Sequence, residues 1–116
     1  MIATKVKGMV TAEKAITIAQ DFIADKLGNL IGVTQPYYIT SGLQSVWVAP
    51  LVLTSPGYGI VGVVGAVMID QAFGHVIGWT PLDEIHANVE KLSDEKEAEL
   101  EAAFQARRLQ VAYAMP

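Results

Sequence analysis

Between Lys26 and Pro81 the chain carries a single formally charged side chain, Asp70, and residues 27–69 form a 43-residue stretch with none. A stretch that long without charge belongs in a membrane or in a packed interior. A membrane helix needs about 20 predominantly apolar residues in a row, and Pro36, Gly42, Pro50, Pro56, Gly57 and Gly59 interrupt this one too often. Its cleanest run, residues 60–69, is short and β-branched, as in a buried strand. The charge gathers outside it: eight acidic residues from Asp83 to Glu101 face only Lys91 and Lys96. The middle therefore reads as interior and the C-terminal segment as solvated helix.

The spacing predicts a helix over residues 12–27. Thr11 is its N-cap, Glu13 lies in its first turn, and Ile16, Ala19, Phe22, Ile23 and Leu27 share one stripe; Gly28 ends it. Four segments rich in β-branched and aromatic residues follow, over 37–40, 46–53, 60–69 and 75–79, divided by Ser41-Gly42, by Ser55-Pro56-Gly57 and by residues 70–74. Linkers this short join antiparallel neighbours. Pro50 cannot donate to a ladder, which places its strand at an edge or at a bulge. Thr80 and Pro81 read as a capped helix start, with Leu82, Ile85, Val89 and Leu92 as its buried stripe. Ser93 reads as the N-cap of a third helix reaching to about Val111. The fold class is α+β: an N-terminal helix on an antiparallel meander of three to four strands, followed by two C-terminal helices, in one domain over residues 1–116. Residues 1–10 read as a further short strand or a flexible end, and 112–116 as a flexible end.

In residues 60–69 one face would carry Ile60, Val64, Ala66 and Met68 and the other Val61, Val63, Val67 and Ile69; residues 46–53 repeat the pattern. An antiparallel sheet with one wet face alternates apolar with polar, so both faces here call for a cover. The C-terminal helices or a second subunit would supply it, and the expectation is a homodimer.

With 116 residues, no cysteine and a net charge of −4, the chain has no thiolate, disulfide or sulfur-ligated zinc chemistry. It also lacks the basic footprint that duplex nucleic acid or an anionic membrane requires. Lys5, Lys7, Glu13 and Lys14 precede or open the first apolar helix, against a secretory signal. The reading is a cytoplasmic protein with no nucleic-acid or membrane partner.

Candidate chemistry is sparse. Gly57, Gly59 and Gly62 match G-x-G-x-x-G, but a β-branched strand follows where a dinucleotide site needs a helix N-terminus, and no lysine or acidic partner stands nearby. No cofactor is expected. Asp83, His86 and Glu90 share one side of a helix and are weak metal candidates, against their simpler reading as a solvated face. No serine sits in a nucleophile elbow and no carboxylate pair faces a cleft, so no residue is assigned to catalysis. Trp47, Tyr58 and Trp79 are candidates for a ligand-binding surface, though aromatic residues in strands more often fill cores. Asp70 and Gly74 read as structural turn residues, the aspartate capping turn amides and the glycine taking a left-handed conformation.

The order Ala15-Ile16-Thr17-Ile18-Ala19, then Val46-Trp47-Val48, then Val67-Met68-Ile69-Asp70 turning through Gly74 into His75-Val76-Ile77 resembles the PepSY-like group of small α+β domains, similar in shape to cystatins. The resemblance covers about residues 12–79. It implies a helix packed on an antiparallel sheet and a non-enzymatic habit, in modules of bacterial proteins that bind or restrain peptidases. The glycine-rich hairpin, the two C-terminal helices and the missing export signal depart from that pattern. The resulting expectation is a non-enzymatic binding or regulatory module acting through contacts with itself and with another protein. Its alternatives are an apolar-ligand pocket, or an antitoxin or immunity protein whose acidic helices mask a basic partner.

Overall fold

The computed structural model describes residues 9–28 and 30–114. In chain order these form α1 (Ala12–Ala24), β1 (Ile31–Val33), β2 (Tyr37–Ser41), β3 (Gln44–Ser55), β4 (Gly59–Asp70), β5 (Val76–Trp79), α2 (Leu82–Glu95) and α3 (Glu97–Ala114). The architecture is α+β, with one helix before a five-stranded antiparallel sheet and two after it. The strand expected within residues 1–10 falls mostly outside the described residues. At Val10 the chain is irregular, and its N–H donates to the Gln71 carbonyl at 2.8 Å.

Thr11 caps α1 through its hydroxyl, which accepts from the Lys14 N–H at 3.2 Å. The helix ends three residues short of Leu27, and the centre of its buried stripe is Ala15, Ala19 and Ile23, with Ile16 at its margin. Two alanines there let the helix axis sit close to the sheet. Phe22 reaches sideways to the Trp79 ring, 5.0 Å between centroids.

The sheet order is β1-β3-β4-β5, with β2 also paired to β3. β1 lies against Leu51–Leu53 and β2 against Gln44–Val48, end to end along one side of β3. β1 is a fifth strand beyond the three or four that the sequence pattern supplies. Pro50 accordingly sits in an interior strand, not at an edge. It is tolerated because it falls in the gap between β1 and β2, where its carbonyl accepts from the Thr34 N–H at 3.1 Å and no ladder donor is needed. The β3–β4 ladder shifts register one residue later, between Leu51 and Val52, and again between Leu53 and Thr54.

Thr80 does not cap α2. The N-cap position is Pro81, which has no side chain to cap with. The Thr80 hydroxyl instead accepts from the Ala66 N–H at 3.0 Å, while the Thr80 N–H donates to the Ala66 carbonyl. Farther along, the Asn88 side-chain amide donates to the Val64 carbonyl at 2.9 Å. These bonds satisfy the edge of β4 beyond the short β5. Ser93 lies inside α2, and the helix breaks three residues later at Lys96. The reason is the sheet beneath: Leu92 packs over Gly62 near the start of β4, and past that point α2 has little left to rest on.

One core cluster joins Ala15, Ala19, Ile23 and Leu27 to Ala49, Leu51, Leu53, Val64, Val67, Ile69 and Ile85. Both α1 and α2 therefore pack on the same face of the sheet. α3 passes the β3–β4 turn, where Ala103 and Arg107 lie against Gly57, and most of its described side chains are exposed.

Candidate functional site

The register assigns each sheet residue to a face. Trp47, Ala49, Leu51 and Leu53 of β3, with Val67 and Ile69 of β4, point to the helices. Val46, Val48, Pro50 and Val52 point away, and their partners Val63, Ala66, Met68, Tyr37 and Ile39 point with them, as does Ile60 opposite Thr54. The two bulges in β4 release Val61 and Val64 from strict alternation and admit both to the helix side. The C-terminal helices thus do not cover the second face. Tyr37, Ile39, Ile60, Val63 and Met68 each keep 40 to 63% of their surface exposed there. Among the described strand residues on this face Asp70, at one end, is the only charged one, and Glu84 of α2 borders the face beside Val48, Ala66 and Met68.

The Asp70 carboxylate is occupied locally: Oδ2 accepts from the Phe73 N–H at 2.8 Å. Its backbone N–H donates to the His75 carbonyl and its own carbonyl accepts from the Gly74 N–H, both at 2.8 Å. Gly74 has φ +79°, and a Cβ there would lie 3.2 Å from Ile18 and Val10 side-chain atoms.

The three aromatic candidates do not converge. Trp47 donates its indole N–H to the Val10 carbonyl at 2.8 Å and packs on Tyr38, 5.2 Å between centroids. Tyr58 lies in the β3–β4 turn, about 26 Å along the hairpin from Trp47. Trp79 lines a cleft of about 270 Å³ with Val48, Ala66, Met68, Thr80, Pro81 and Glu84. Asp83, His86 and Glu90 share one side of α2, and among the described residues no group of three or more acidic or histidine side chains is arranged to hold a metal ion. Gly57 and Gly59, with φ +78° and +93°, shape the hairpin turn, and the rest of that glycine motif is β4 itself.

A second feature lies on the helix side, and no local sequence pattern marks it. Where α1 ends and the chain enters β1, Leu27, Gly28, Leu30, Ile31, Leu53, Ile85, His86 and Val89 line a cleft of about 250 Å³, open to solvent on one side. Its residues come from four separate elements and loops, so only the tertiary arrangement brings them together.

No family model, curated protein or solved structure matches this chain. No helix among the described residues is long and apolar enough to cross a membrane.

Proposed function

We propose that the chain is a non-enzymatic binding or regulatory module of the cytoplasm that works as a homodimer, joined through the open face of its sheet. The observation that carries this reading is the apolar face opposite α1 and α2. β3 and β4, at 12 residues each, run about 40 Å. Three strand widths at that length, with β5 added, give about 640 Å² in projection, against the ~800 Å² per partner of a standard interface, with Val48 and Val52 at its centre already buried within one chain and the exposed area carried by the residues around them. Apolar surface of that extent on a monomer is an association site or an aggregation hazard. A second copy is the favoured occupant because the face is uncharged over nearly its whole length, and such a face meets its own copy without like-charge repulsion. The helix-on-sheet order and the hairpin through Asp70 and Gly74 add the non-catalytic habit that the PepSY-like resemblance implies.

Sedimentation equilibrium over micromolar concentrations tests it. A species of twice 12.5 kDa is expected, and the exchange Val63→Lys with Met68→Glu, both at exposed positions, should return the monomer while leaving the fold intact. A 12.5 kDa species throughout overturns the dimer.

A further inference from the structure

We propose that the cleft between the end of α1, β1 and α2 binds an uncharged apolar small molecule bearing one hydroxyl, an aliphatic alcohol or a phenol of about ten non-hydrogen atoms. The walls are side chains of Leu27, Leu30, Ile31, Leu53, Ile85 and Val89. Two carbonyls of the loop are already engaged: that of Gly28 accepts from the Ile31 N–H, and that of Leu30 accepts from both the N–H and the hydroxyl of Thr54. Among the described lining residues the one polar side chain is the imidazole of His86, exposed and without a hydrogen-bond partner among the described residues.

An imidazole offers one N–H and one lone pair, so a hydroxyl can either donate to it or accept from it. Charge narrows the ligand further. Asp83 and Glu90 stand about one turn to either side of His86 on α2, where their carboxylates disfavour an anionic head group. Size sets the body. An apolar cavity of ~150 Å³ takes benzene, and 250 Å³ filled to a packing density of ~0.74 holds about 185 Å³ of molecule. The cleft lies on the helix side of the sheet, so a second copy on the opposite face leaves it open.

Methyl and imidazole NMR of the full chain, titrated with octan-1-ol and separately with octanoate, tests the assignment. Octanol should produce saturable shifts at Leu27, Ile31, Val89 and His86, and octanoate should bind at least tenfold more weakly. Val89→Phe should abolish the shifts by occupying the cleft, with Leu30→Trp at the exposed rim as a second occluding variant should the first not fold. His86→Leu should weaken octanol binding about fivefold to tenfold, and His86→Gln, which keeps a donor and an acceptor, should restore most of it. Shifts that do not saturate, shifts confined to Val63 and Met68 on the open face, equal binding of octanoate, or indifference to His86→Leu would each overturn the proposal.

Discussion

Asp70 shows how much of one side chain's surroundings must be known before its charge is given a role. As the lone charge of the central region it attracts a catalytic reading, yet its carboxylate is held by the Phe73 amide and its backbone by His75 and Gly74. An asparagine can accept the same bond, so Asp70→Asn should change stability by less than about 0.5 kcal/mol, whereas Asp70→Ala should cost about 1 kcal/mol. Gly74 is less forgiving. At φ +79° a β-branched side chain is strained, and its Cβ would press on Ile18 and Val10. Gly74→Val should therefore lower the unfolding free energy by about 1 to 3 kcal/mol or more, read from urea midpoints at unchanged slope.

At the scale of elements, the order of helices and long strands was legible because each carries its own signal: a threonine cap before an apolar stripe, or a β-branched run between turn residues. β1 carries no such signal. Its three residues include Gly32, and it exists because β3 offers a partner on that side. Which face of the sheet the helices choose was equally hidden, since both faces of β4 are apolar. The glycines decide it. Cβ atoms at Gly62 and Gly65 would lie 2.9 Å from Leu92 and 3.0 Å from Ile85, so their absence is what lets α2 lie against that face. Thr80 misled for a related reason, because its hydroxyl is claimed by the unpaired edge of β4, which the local sequence does not reveal. Thr80→Val should thus cost about 1 to 3 kcal/mol by leaving the part-buried Ala66 N–H without a partner, and Thr80→Ser should recover most of it. Amide hydrogen exchange settles the cause. Protection should fall at Ala66, whereas loss of a helix cap would instead expose the first turn of α2.

For the whole molecule, two surfaces compete as the place where a protein partner would bind, and they differ in charge. The open sheet face is almost free of formal charge, while α2 and α3 carry eight acidic residues from Asp83 to Glu101 and one ion pair among the described residues, Lys96 with Glu99 at 3.7 Å. Association through the sheet face would be driven by burying apolar surface, which salt barely screens. Capture of a basic partner by the acidic helices would be driven by charge and would weaken steeply as salt rises. The dimer dissociation constant should accordingly change by less than about twofold between roughly 50 and 500 mM sodium chloride, with a negative heat-capacity change on association. Sedimentation equilibrium across that salt series, paired with dilution calorimetry at several temperatures, measures both. A dimer that dissociated tenfold more readily at high salt would move the interface from the sheet to the charged helices, even if the stoichiometry were unchanged.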